Sequence, residues 1–145
     1  PLEIEAAIGL EQLKKLNSFI SVRRANANLF SDLMSEFTNI DTQTELGESS
    51  WFGFSMVLTG KLSGKRESLV ELLTESGIES RPIVAGNFTR NPVISHLPHT
   101  IHGDLSAADE IHENGLFLGN HHYDLSEEFG LLKQVLNTFV GRFEL

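Results

Sequence analysis

The side chains best suited to binding chemistry lie in one short stretch, residues 80–92, with the sequence SRPIVAGNFTRNP. Arg81 and Arg90 carry planar guanidinium groups, which match the paired oxygens of phosphates and carboxylates. Asn87 can both donate and accept hydrogen bonds. Gly86 allows a tight turn, because glycine has no Cβ atom. We predict that Arg81, Asn87 and Arg90 bind a ligand; a structural turn with surface arginines is the alternative.

The histidines are the second group that could do chemistry. Three of the six recur at every third position: His96, His99 and His102. Pro98 argues against a helix at these positions, so a zinc site there would have to be built from a loop. The adjacent pair His121 and His122 would point apart in an extended chain. We expect no metal site.

Several other kinds of catalysis are excluded by missing residues or spacings. The chain has no cysteine, which removes thiol nucleophiles, disulfides and zinc–thiolate sites. It has no Gly-x-Ser-x-Gly motif of the kind that positions a hydrolase serine. The sequence Ser-Gly-Lys at residues 63–65 lacks the spacing of a phosphate-binding loop.

Composition restricts the class of protein further. The chain has 145 residues, 40% of them hydrophobic, which is enough to bury a core. Its formal net charge of −9 argues against nucleic-acid binding, since such proteins are usually basic. No apolar run approaches the roughly 20 residues of a membrane span, and no signal peptide is visible. We therefore expect a cytoplasmic protein with neither nucleic-acid nor membrane partners.

Apolar residues three or four positions apart predict the helices that must position these side chains. The first covers residues 2–37, with a kink or short break at 16–19, where Asn and Ser compete for helix hydrogen bonds. A second covers residues 65–76. A third starts at 107 after a capping box opened by Ser106, and a final helix is capped by Ser126.

Three strands are predicted between these helices, at residues 51–59, 78–84 and 116–119, from their aromatic and β-branched residues. Residues 38–50 and 85–104 are polar and are predicted to be loops. In the first strand a period of two puts four side chains on one face: Phe52, Phe54, Met56 and Leu58. The predicted fold class is α+β (an α/β sandwich), a small, mainly antiparallel sheet of about three strands covered by helices.

Four segments together resemble a known family. Residues 4–13 (IEAAIGLEQL) and 23–26 (RRAN) are similar to the segment after the cofactor lysine in sugar aminotransferases of the DegT/StrS type, which are fold-type I enzymes that use pyridoxal phosphate. Residues 51–54 (WFGF) and 81–92 resemble a branch of that family, the 3-dehydratases of nucleotide-linked 4-keto-6-deoxyhexoses. In that branch histidine replaces the lysine and pyridoxamine phosphate is the coenzyme. The resemblance extends over nearly the whole chain.

The resemblance implies that residues 1–145 are the small C-terminal domain of a larger, homodimeric enzyme, with residues 1–37 leading in from a large domain. That enzyme would remove the C3 hydroxyl of its nucleotide-linked sugar, for lipopolysaccharide O-antigens. Its catalytic histidine and its pyridoxal or pyridoxamine phosphate site are expected outside these residues, so this chain alone would be inactive and free of cofactor. Arg81, Asn87 and Arg90 would form one wall of the substrate site.

Two alternatives remain open from the residues. The chain could instead belong to a nucleotide-sugar aminotransferase that uses pyridoxal phosphate, in which case lysine, not histidine, would occupy the cofactor-linking position. It could also be a binding or interaction module with no catalytic partner.

Overall fold

The fold is organised around a four-stranded antiparallel sheet with the strand order β1–β2–β4–β3. The computed structural model describes residues 2–143. Within them the strands are β1 (Ile40–Thr42), β2 (Gly53–Leu58), β3 (Ser80–Arg81) and β4 (Gly115–Gly119). The α+β class and the antiparallel pairing agree with the prediction.

The strand β1 was not predicted, because it is three residues long, lies in a polar segment and buries only Ile40. The strand predicted at residues 78–84 shrinks to the two residues of β3. Two backbone features account for its early end: Pro82 has no N–H to donate, and Val84 takes a positive φ of 45°.

The described residues form five helices: α1 (Glu3–Leu13), α2 (Leu16–Met34), α3 (Arg66–Glu75), α4 (Ser106–Asn114) and α5 (Ser126–Phe143). Short 3₁₀ turns occur at Gly60–Leu62, Phe88–Arg90 and Pro92–His96. The break in the predicted first helix falls at residues 14–15, just before the expected place. None of the helices described between residues 2 and 143 has the length and apolar character needed to cross a bilayer.

The core lies between the inner face of the sheet and helices α2, α3 and α5. Phe54 of β2 is at its centre: its ring centroid is 4.4 Å from that of Phe30 on α2 and 5.6 Å from that of Phe129 on α5. The prediction that Phe52 shares this face was wrong. Phe52 is 80% exposed, because the preceding Trp51 takes a positive φ of 50° and β2 begins only at Gly53.

A buried amide ties α2 to the connection between β4 and α5. Asn26 is 1% exposed, and its Nδ2 lies 3.1 Å from Asn120 Oδ1 and 2.8 Å from the carbonyl oxygen of Tyr123. Its Oδ1 accepts the N–H of Leu125 at 3.2 Å. Because both ends of the amide are paired, the helix and this connection are fixed relative to each other.

The helix starts at α4 and α5 differ from the predicted capping. Ser106 and Ser126 are the first helical residues and do not cap the helices, and each is bonded to an aspartate two positions earlier. Asp104 accepts hydrogen bonds from the hydroxyl and backbone N–H of Ser106, and Asp124 does the same for Ser126. These hydrogen bonds lower the pKa of Asp104 and of Asp124, and the bond from the serine hydroxyl has the largest effect in each case.

The close packing of β2 against β4 can be tested at a pair of opposed glycines, Gly53 and Gly119. A Cβ added at Gly53 would lie 2.2 Å from Cζ of Phe117 and 2.4 Å from the carbonyl oxygen of Leu118, whereas one added at Gly119 would meet nothing within 4 Å. We expect Gly53→Ala to lower the free energy of unfolding by about 1–3 kcal/mol. Gly119→Ala should change it by less than about 1 kcal/mol. Urea denaturation measures both, and equal effects would contradict the packing.

Candidate functional site

Helix α4 presents a polar face to the predicted binding stretch. Asp109, His112 and Glu113 lie three and four positions apart, which places them on one side of the helix. All three contact residues 86–90 (GNFTR), which we call the donor turn. The contacts fix the turn against α4, although the two segments are about 20 residues apart in sequence.

Asn87 is buried in this arrangement, with 5% of its surface exposed. Its Nδ2 donates to Oδ1 of Asp109 at 2.8 Å. Its Oδ1 accepts the backbone N–H and the hydroxyl of Thr89, at 3.1 and 2.7 Å, and so caps the short 3₁₀ turn that follows. Both ends of the Asn87 amide therefore hold the donor turn together.

Arg90 closes the turn with two carboxylates of α4. Its Nη1 donates to Oε1 of Glu113 at 2.8 Å, and its Nε lies 3.2 Å from Oδ1 of Asp109. The hydrogen bond to Glu113, followed by the charge of Asp109, raises the pKa of Arg90. The side chain is still 43% exposed, and these contacts leave Nη2 of the guanidinium for a further acceptor.

Arg81 occupies a different position, on the edge strand β3 and opposite Phe117 of β4. Its Nε and Nη2 both donate to Oε1 of Glu79, at 3.0 and 2.7 Å. The Arg81 side chain is 74% exposed, and an ion pair so exposed contributes little stability. The guanidinium of Arg81 is therefore accessible and only weakly held by Glu79.

Two clefts meet at Arg81. The larger, of about 480 Å³, runs from the outer side of the sheet to α5, and its aromatic lining includes Phe52, Phe117 and Tyr123. The rings of Phe52 and Phe117 are stacked, with centroids 5.9 Å apart. The smaller cleft, of about 360 Å³, lies between α3 and β3, and Arg66 lines it together with Arg81. A guanidinium beside aromatic rings suits a ligand that combines an anionic group with a planar ring.

The three predicted residues thus fall into two groups. Asn87 and Arg90 come together through their shared partner Asp109, while Arg81 pairs with Glu79. The α4 residues Asp109, His112 and Glu113 were not predicted as site residues. Their spacing of three and four positions indicates in the sequence that they share one face of a helix. Only the fold shows which loop that face contacts.

Of the histidine candidates, the adjacent pair His121 and His122 forms ring contacts just after β4. His121 stacks on Tyr123 with centroids 4.5 Å apart, and His122 lies 4.4 Å from the ring of Phe19 on α2. Among residues 2–143, no group of three or more histidine, aspartate or glutamate side chains is placed to hold a metal ion.

The two clefts at Arg81 are lined by arginine donors and by no lysine, so neither has the amine to which the aldehyde of pyridoxal phosphate is linked in aminotransferases.

Comparison with known proteins defines the class first. The sheet and helices match a fragment of the fold of pyridoxal-phosphate-dependent aminotransferases. One similar structure is that of Escherichia coli GDP-4-keto-6-deoxy-D-mannose-3-dehydratase with bound hydrated PLP. The match has a TM-score of 0.87 and 48% sequence identity, and it covers 94% of this chain and 35% of that one. Residues 2–137 also match the DegT/DnrJ/EryC1/StrS aminotransferase family. The chain belongs to that family, and the family prediction is confirmed.

Two curated relatives are similar over most of this chain. GDP-4-keto-6-deoxy-D-mannose 3-dehydratase of Yersinia pseudotuberculosis is 50% identical over 137 residues, which are 94% of this chain and 35% of that protein. The lipopolysaccharide biosynthesis protein RfbH of Salmonella typhimurium is 30% identical, over 98% of this chain and 32% of that protein. The chain spans about a third of the length of these relatives.

The contact between the donor turn and α4 can be tested at Gly86. Its φ is +55°, and an added Cβ would lie 2.6 Å from Nδ1 and 3.0 Å from Cα of His112. Gly103 has a similar φ of +74° but nothing within 4 Å of an added Cβ, so Gly103→Ala introduces only backbone strain of about 1–2 kcal/mol. We expect Gly86→Ala to lower the free energy of unfolding by roughly 1 kcal/mol more than Gly103→Ala. Equal losses in urea denaturation would show that His112 does not contact the turn.

Proposed function

We propose that this chain is the small C-terminal domain of a 3-dehydratase that removes the C3 hydroxyl of a GDP-linked 4-keto-6-deoxyhexose, in the synthesis of lipopolysaccharide deoxysugars. The observation that carries the proposal is the 50% identity to such a dehydratase over 94% of this chain. The catalytic histidine and the cofactor-binding residues are proposed to lie in the part of the relatives that this chain does not match. Pyridoxamine phosphate, when bound there, would supply the electron sink for the loss of the hydroxyl.

The contribution of this chain would be to bind and orient the substrate. Arg81 is the proposed receptor for the diphosphate, because it is exposed and its partner Glu79 is readily displaced. The cleft beside Arg81 has the aromatic lining that a nucleobase needs for stacking. Arg90 would donate from Nη2 to a further oxygen of the ligand, and Asn87 would keep Arg90 in place.

The proposed enzyme is a homodimer. Helix α1 supports a contact with further protein, because it buries none of its own residues in the described structure. Its apolar side chains Ile4, Ile8 and Leu13 are 65%, 58% and 63% exposed. Neighbouring large apolar side chains that stay exposed commonly mark a surface of contact with further protein. The cytoplasmic location stays a prediction.

A domain exchange tests the proposal. This chain replaces the matching segment of the Escherichia coli dehydratase, with which it shares 48% identity, and consumption of the GDP-4-keto-6-deoxymannose substrate is measured. We expect the kcat of the exchanged enzyme to stay within about tenfold of that of the parent enzyme. A tenfold change in rate corresponds to a change of only about 1.4 kcal/mol in the activation free energy. An exchanged enzyme that folds and binds the cofactor but does not consume the sugar would refute the proposed function.

The same exchanged enzyme tests the assignment of Arg81. Arg81→Ala should raise KM about tenfold or more, with little loss of stability, because it removes a charged hydrogen-bond donor from the ligand. Arg90→Ala should raise KM or lower kcat. Lys61→Ala, which removes an exposed cation outside both clefts, is the matched control and should leave both constants unchanged. An unchanged kcat/KM in Arg81→Ala would show that Arg81 is only a surface residue, even if the exchanged enzyme is active.

A further inference from the structure

The donor turn has one contact that depends on a proton. The backbone N–H of Asn87 points at Nδ1 of His112, with 3.3 Å between the nitrogens. A ring nitrogen can accept this hydrogen bond only when it carries no proton, so the bond requires the neutral imidazole with its proton on Nε2. In the imidazolium form both ring nitrogens are donors, and two N–H groups would face each other.

The rest of the geometry keeps His112 and the turn in contact. Gly86 approaches the ring so closely that no Cβ would fit between them. On the other side, Nη1 of Arg66 donates to the carbonyl oxygen of His112 at 2.5 Å, which holds the backbone of α4 in place. The donor turn and the His112 ring are therefore held close together, with the backbone of His112 anchored by Arg66.

We propose that His112 is a positioning residue for the donor turn, and that it acts through its unprotonated Nδ1. The neutral ring fixes the N–H of Asn87, and with it the alignment of Asn87 and Arg90 against α4. Protonation of His112 removes this acceptor and loosens the turn. The loosening needs no ligand; only its consequence for substrate binding rests on the proposed function.

The charges around His112 come from three elements. Asp109 and Glu113 lie on α4, Arg90 on the donor turn and Arg66 on α3. Both carboxylates contact Arg90. The hydrogen bond from the Asn87 N–H exists only while Nδ1 of His112 carries no proton, and it is lost when the ring becomes an imidazolium.

Amide hydrogen exchange of the 145-residue chain measures the contact directly. In the unsubstituted chain, the protection factor of the Asn87 amide, corrected for the intrinsic pH dependence of exchange, should fall about fivefold or more as His112 becomes protonated. The long-range ¹⁵N spectrum of the ring reports that protonation in the same sample. His102→Asn, which removes an exposed histidine beyond the turn, should leave the profile unchanged.

Two substitutions at His112 separate positioning from mere packing. His112→Asn puts an amide oxygen near the position of Nδ1, so it should protect the Asn87 amide at every pH. His112→Leu offers no acceptor and should leave that amide unprotected throughout. The proposal is overturned if Asn87 protection stays constant while His112 titrates, or if His112→Asn keeps the original pH dependence. Should His112→Leu fail to fold, the asparagine variant still decides, and neither result depends on the activity of the exchanged enzyme.

Discussion

The placement of the larger cleft depends on the buried amide of Asn26. An unpaired amide in the core costs about 1–3 kcal/mol, so its partners on the connection from β4 to α5 are held in place. Asn120 extends this hydrogen-bond network: its Nδ2 donates to the carbonyl oxygens of Arg23 and Trp51 at 3.0 and 2.9 Å. Helix α2, the start of β2 and the end of β4 therefore meet at one polar junction. His121 and Tyr123, which line the cleft, follow directly from it.

The two predicted arginines differ in the number and exposure of the carboxylates that pair with them. Arg90 lies between two carboxylates of α4 and contributes to holding a turn. Arg81 has a single exposed partner, Glu79, which lies just before its strand. Because exposed ion pairs are weak and multiply paired charges are more strongly held, we propose Arg81 as the residue that receives a ligand and Arg90 as the residue that anchors the turn. The division of roles follows from partner number and exposure, although the two side chains are chemically identical.

The sequence predicted most elements and the family, because apolar spacing and turn residues are local signals. The helix predicted at residues 65–76, for example, is α3, and Gly77 follows it with a φ of +76°, a conformation that glycine adopts readily. The failures have non-local causes. The strand β1 forms only because β2 offers a partner, and Phe52 turns outward because of the backbone at Trp51. The pairing of Asn87 with Asp109 could not be predicted, since no local pattern shows which loop faces α4.

The central claim is that this chain completes a dehydratase site and not an aminotransferase site. The most direct test is the mass of the sugar released by the longer enzyme proposed to contain this chain, with its own cofactor-binding part, when it is offered the GDP-4-keto-6-deoxyhexose together with glutamate as amino donor. We predict a product that has lost the C3 oxygen and contains no added nitrogen. A product that keeps the C3 hydroxyl and has gained an amino group at C4 would contradict the account.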